Sequence, residues 1–257
     1  MLLNKTNTNK SSIQAIVFDF DGTIANTYPT FFAIFSEELV KSFQTIQDDY
    51  VQRIARKAYK LELENGNERQ APKLLLLKVF YTTCRTLGLN RLTSSVRTIF
   101  SAYKVKKNYE NISLFPGVSE LLKELHSNGI PLILITHSSK RNVMRILQKN
   151  GLDVFFTIVL DRSDVGSDKT NGIKDALEAL GIDPDCALSI GDLPADINEA
   201  KNVGLKTVAF VSPTGLVDRE ILEAQNPDYI CNSFFDLSSI IANFPTLENN
   251  SIAQLDK

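Results

Sequence analysis

The stretch AIVFDFDGT (Ala15–Thr23) decides the fold. Its first part is an unbroken apolar block rich in β-forming residues, the pattern of a strand buried on both faces, and the Asp-Gly that follows is a turn signal. The spacing predicts a strand over 15–20 that carries Asp19 and Asp21 to its C-terminal end. Working outward, the pattern changes from about Tyr28 to Tyr109. FFAIFSEELVKSF, DYVQRIARKAYKLELE, APKLLLLKVFYTTCRTLG and LTSSVRTIFSAYKVKKN all carry apolar residues at helical spacing, and turn-like breaks at Asn65-Gly66-Asn67 and at 88–90 divide the segment into about four helices.

Beyond Phe115-Pro116-Gly117 the chain alternates helix and strand in the manner of a parallel sheet covered on both faces. Helices are predicted over 118–127, 140–149, 171–180, 195–202 and 218–224. Strands are predicted over 131–136, 156–160, 187–191 and 206–210, with 228–231 as a short edge strand. The expected fold is α/β: a Rossmann-like parallel-sheet core (13–26 and 112–245) with an inserted all-helical cap domain (27–111) and a flexible N-terminal extension (1–12). In open sheets of this kind ligands bind beyond the carboxyl ends of the strands, where the cap would sit as a lid.

Composition narrows the function. Hydrophobic residues make up 43% and charged residues 23%, and the formal charge is −2. Lys and Arg are scattered among acids, which argues against a nucleic-acid binder. No apolar run approaches a membrane span and the first residues lack a signal-peptide core, so the expectation is a cytoplasmic protein without a membrane partner. Cys84, Cys186 and Cys231 form no CxxC pair, which speaks against a disulfide framework or thiolate site. With His126 and His137 the only histidines, an imidazole-rich metal site is disfavoured too.

Four features fall at predicted strand ends: Asp19 to Thr23, Thr136-His137-Ser138, Lys169, and Gly191-Asp192 with Asp196. Singly, each has a bland reading as a turn, a cap or a solvated charge. A parallel sheet would bring all four together. Asp19, Asp21 and Asp192 would then repel by roughly 4 kcal/mol per pair at ~4 Å and an effective dielectric of ~20, so a cation must sit among them. Carboxylates without thiolates suit a hard ion, with Mg²⁺ the natural candidate and Lys169 a second positive charge.

In this order, DFDGT, the Thr of ITHSS, Lys169 and GDLPAD resemble the motifs of the haloacid dehalogenase-like superfamily, over Ile13 to about Phe210. The resemblance implies an Mg²⁺-dependent phosphatase in which Asp19 attacks phosphorus to form an aspartyl-phosphate. Asp21 would protonate the leaving oxygen and then activate water. It further implies a metal held by Asp19, Asp192 and the backbone carbonyl of Asp21, and a phosphate held by Thr136, His137 and Lys169. Asp196 and Thr23 would be outer support. An aspartate at position 21 argues against the dehalogenase branch. Departures from the family pattern are His137 where Asn is common, Thr170 after the lysine and Leu193 after Gly-Asp. The His137 imidazole could act, or its backbone alone.

The helical insert resembles the caps of phosphoglycolate phosphatases and β-phosphoglucomutases. The expected substrate is a small phosphorylated metabolite, handled by a monomer or homodimer. A phosphomutase shares every core residue and is the alternative, followed by a non-catalytic phosphate-ligand-binding protein. In the cap, Arg53, Arg56, Lys57 and Lys60 are candidate contacts to an anionic substrate, weighed against a solvated helix face. Tyr59, Tyr81 and LLLLKVF read as cap core.

Overall fold

The computed structural model describes residues 13–43, 47–64 and 72–244. In chain order the elements are β1 (Ala15–Phe18), α1 (Thr27–Val40), α2 (Asp48–Glu64), α3 (Pro72–Thr86), α4 (Arg91–Asn108), α5 (Val118–Ser127), β2 (Leu132–Ile135), α6 (Lys140–Lys149) and β3 (Phe156–Leu160). There follow α7 (Arg162–Val165), α8 (Thr170–Leu180), β4 (Ala187–Gly191), α9 (Pro194–Val203), β5 (Lys206–Phe210), α10 (Arg219–Glu223), β6 (Tyr229–Cys231) and α11 (Phe234–Ala242). The extension 1–12 and the break at 65–67 lie outside the described residues.

The six strands are all parallel, in the order β3-β2-β1-β4-β5-β6. This is a doubly wound Rossmann-like sheet, and the strand order reverses at β1, between β2 and β4. Alternation along the central strands supplies the two cores. Ile16 and Phe18 with Leu132 and Leu134 face one layer, which includes Leu121, Leu122 and Leu125 of α5. Ala15 and Val17 with Ile133 and Ile135 face the other, against Ile173, Ala176 and Leu177 of α8. Each helix buries residues three or four apart, the period that puts them on one stripe. Truncating fully buried Phe18 to Ala would cost ~3–5 kcal/mol.

Helices α1 to α4 follow β1 and precede α5, which leads into β2. Phe35 of α1 stacks on Phe80 of α3 with ring centroids 4.3 Å apart, and both are buried. The α2 face also docks on the core. Arg56 pairs with Asp218 at 3.1 Å and donates to the Pro213 carbonyl at 3.0 Å.

Three expectations are corrected. β1 ends at Phe18, two residues early, because the Phe20 carbonyl already accepts the N–H groups of Ile24 and Ala25 and turns the chain. Helices α7 and α11 go unanticipated; α7 is only four residues long and is held by the Asp161 capping box, a signal too short for periodicity to reveal.

Candidate active site

The groups picked out by sequence converge where the strand order reverses. Asp19 directly follows β1, and its N–H donates to Ile190 of β4 at 3.0 Å, which extends the sheet pairing to this residue. The next turn requires glycine. Gly22 has φ +86°, and a Cβ there would lie 2.2 Å from Asp192 Oδ2 and 2.6 Å from the Tyr28 ring. Gly191 has a similar role, since its Cβ would fall 2.3 Å from that of Asp196.

Lys169, at the start of α8, is 4% exposed. Its Nζ donates to Asp19 Oδ1 at 2.5 Å and to Asp196 Oδ1 at 2.7 Å. The other Asp196 oxygen accepts the Leu193 N–H at 3.1 Å, which fixes its rotamer. Asp192 accepts from Tyr28 at 3.0 Å and from Thr23 at 3.3 Å. Asp21 stands apart from this cluster. Its two oxygens accept from the Tyr109 hydroxyl and the Ser138 hydroxyl, each at 2.5 Å, and those hydroxyls are 3.0 Å from one another. Thr136, at the end of β2, accepts the Ser138 N–H at 3.0 Å.

Electrostatics follow from burial. Desolvation lifts the Asp19 carboxyl to about 7 although Lys169 pulls it down, and it lifts Asp192 well above the usual carboxylate range with Asp19 adding to the effect. Burial would lower Lys169, but Asp19 and Asp196 outweigh it and hold the ammonium charged. His137 is buried, and burial followed by the Lys169 charge pushes it down to about 4, so its imidazole is neutral. Its Nδ1 has no hydrogen-bond partner among the described residues.

Asp19, Asp192 and Asp196 each present an oxygen within 4.8 Å of the others. Ionised together, three buried carboxylates facing one lysine would leave negative charge uncompensated, which is why burial lifts Asp19 and Asp192, and an all-oxygen donor set suits a hard divalent cation. Sequence reasoning found these residues and placed Ser138 at the same edge without a role, but missed Tyr28 and Tyr109. The two tyrosines sit at the entry to and the return from the helical insert, and a polar-tipped aromatic at such a junction is the signal that was available. The basic residues of α2 stand as a helix face and not as substrate contacts. Arg53 is exposed and pairs with Asp49, Arg56 is spent on the core, Lys57 and Lys60 are exposed, and none of the four lines the cavity above Asp19. Tyr59 and Leu75 to Leu77, read as cap core, do line it.

A doubly wound parallel sheet with carboxylates and a buried lysine gathered at its switch point is the architecture of an α/β enzyme with its candidate site at the carboxyl ends of the strands. The haloacid dehalogenase-like hydrolase family matches residues 16–210, and the chain belongs to that family of hydrolases. Similar sequences include the phosphoglycolate phosphatase of Synechococcus elongatus, 28% identical over 88% of this chain and 95% of that protein. The pyrophosphatase PpaX of Halalkalibacterium halodurans is 27% identical over 89% of this chain and 97% of its own length. Among solved structures, a HAD family hydrolase from Deinococcus radiodurans with bound phosphate and sodium superposes with a TM-score of 0.72 at 15% identity, covering 90% of this chain and 96% of that one. A predicted phosphoglycolate phosphatase from Haemophilus somnus gives 0.66 at 21%, over 89% and 97%. At these identities the structural likeness speaks for the fold. Among the described residues no helix is long and apolar enough to cross a membrane.

Proposed function

We propose that the chain is an Mg²⁺-dependent phosphatase that hydrolyses a small phosphomonoester through an aspartyl-phosphate on Asp19, with residues 27–111 acting as a cap over a core of 13–26 and 112–245. The observation that carries this reading is the Lys169 bridge between Asp19 and Asp196 beside the separately held Asp21. Two carboxylates two residues apart in sequence have different partners, which is the requirement for giving them different roles.

Asp19, at the strand end with one oxygen fixed by Lys169, attacks phosphorus in line and displaces the alcohol. Asp21, oriented by Tyr109 and Ser138, gives a proton to the departing oxygen and then takes one from the water that cleaves the aspartyl-phosphate. Thr136, the His137 N–H and Lys169 hold the phosphoryl oxygens as charge spreads over them. Asp19, Asp192 and the Asp21 carbonyl would hold the ion, with Asp196 and Thr23 supporting them. When bound, Mg²⁺ supplies charge neutralisation for the phosphoryl group and returns the lifted carboxyls to their ionised forms. His137 acts through its main-chain N–H, and its imidazole, held neutral, takes no part.

The relatives carry different substrate names, so the leaving group is not carried over from them. The test is inorganic phosphate release from a panel of phosphomonoesters. Wild type should release phosphate with Mg²⁺, lose activity in EDTA and recover on adding Mg²⁺, and Asp19→Asn should be inactive though folded. Release that is indifferent to EDTA, or an active Asp19→Asn protein, would overturn the reading.

A further inference from the structure

Above the carboxylates lies a cavity of about 550 Å³, in the range that encloses a drug-sized ligand and far larger than a two-carbon acid requires. Asp19 and Lys169 form its floor. Its walls, supplied by the helical insert, are apolar, with Phe31 from α1, Leu76 and Phe80 from α3 and Val105 from α4. Lys106, on the exposed rim, is the one cation that the insert brings to the lining among the described residues. The remaining polar lining away from the carboxylates, Tyr59, Ser139 and Asn142, is uncharged, so a carboxylate or second phosphate on the leaving group would find Lys106 as its one cation from the insert and be desolvated against the apolar walls, whereas an apolar group gains by entering.

We infer that the substrate is the phosphomonoester of a bulky, mainly apolar alcohol, of the aryl or medium-chain alkyl class. This rests on the phosphatase reading above and narrows its substrate. Water is consumed, the ester P–O bond breaks, and the departing oxygen takes its proton from Asp21, which gives the free alcohol and inorganic phosphate.

The experiment is a chain-length series of ethyl, butyl, hexyl and octyl phosphate, with naphthyl phosphate, phosphoglycolate and pyrophosphate alongside. Burial worth ~0.8 kcal/mol per methylene converts to about fourfold in kcat/KM per added carbon until the cavity is filled. A flat or falling series, or phosphoglycolate or pyrophosphate as the best substrate, overturns the inference and leaves the phosphatase reading standing. Calorimetry on Asp19→Asn with octylphosphonate and phosphonoacetate separates the two claims. Tighter octylphosphonate binding with no wild-type turnover of any ester would support the pocket assignment and sink the phosphatase reading. Equal binding of the two phosphonates overturns the pocket assignment.

A second, independent observation concerns α4, which is turned inside out. Its inward face holds Ser94, Thr98 and Ser101, while Leu92, Val96, Ile99 and Tyr103 point outward, exposed by 77%, 38%, 67% and 64%, with Phe100 beside them at 54%. The 4-3-4 spacing of those four is an a/d seam. The five side chains expose on the order of 500 Å², so a two-fold pairing of α4 with its own copy would bury about 1,000 Å², the threshold of a specific interface. The geometry points to a second copy of this chain as the partner. Sedimentation at micromolar concentration should give twice the chain mass, falling to one chain for Ile99→Glu/Tyr103→Glu with unchanged circular dichroism. A monomeric wild type, or a dimer that survives the double substitution, overturns this.

Discussion

Lys169→Met removes the cation that makes the acidic cluster tolerable. Nζ lies 2.5 Å from Asp19 and 2.7 Å from Asp196, and at 4% exposure water has little room to substitute for it. Breaking a buried pair on one side costs ~3–5 kcal/mol, and a chain of this size loses ~2–4 °C per kcal/mol, so the unfolding midpoint in EDTA at pH 8 should fall by roughly 6–20 °C. The pH dependence has a definite sign. Burial raises Asp19 from 3.8 to about 7, so the stability linked to it is fully present below pH 3.8 and is lost as pH rises through about 7. Lys169 is raised above its ordinary 10.5, so its own contribution is intact throughout that window. At pH 5 Asp19 carries its proton in both proteins, and the gap between wild type and variant should narrow. Thermal unfolding followed by circular dichroism at pH 5 and pH 8 is the assay. A variant as stable as wild type at pH 8, or an equal loss at both pH values, would refute the reasoning.

Tyr109→Phe removes a hydroxyl that donates to Asp21 at 2.5 Å and lies 3.0 Å from the Ser138 hydroxyl, while keeping the ring, so kcat should fall by about tenfold, the worth of a hydrogen bond to a charged group, with the midpoint lowered by far less than in Lys169→Met. Equal rates would show that Tyr109 does not orient Asp21. Gly22→Ala drives a Cβ into Asp192 at 2.2 Å in a left-handed backbone, so soluble protein should be scarce or inactive; an active, stable variant would refute the packing argument. His137 is held down to about 4, so its contribution to stability is present above pH 6.5 and lost as pH falls through 4. His137→Asn should therefore unfold at higher temperature relative to wild type at pH 4.5 than at pH 7, and retained activity would agree with a main-chain role.

The sheet was legible because its central strands are uninterrupted apolar blocks. β2, β4 and β5 fall within or upon the predicted ranges, and Asp19, Thr136, Lys169 and Asp192 were legible because parallel strands deliver their C-terminal ends to one edge. What was not legible depended on contacts far apart in sequence. Nothing near Tyr28 announces a bond to a carboxylate 164 residues away, and nothing near Tyr109 announces Asp21. Of the basic residues of α2, Arg53, Lys57 and Lys60 form the exposed face that their spacing suggested, whereas the partner of Arg56, Asp218, is 162 residues away and no local spacing announces it. The aliphatic run of α3 has the period of a packed helix whether its apolar stripe meets protein or a cavity.

Acid quenching during turnover, followed by mass spectrometry of the peptide that carries Asp19, detects the covalent phosphoryl enzyme itself. Wild type should carry one phosphoryl group on that carboxylate and Asp19→Asn none; sustained phosphate release with no adduct, undiminished by Asp19→Asn, would rule out the aspartyl-phosphate route.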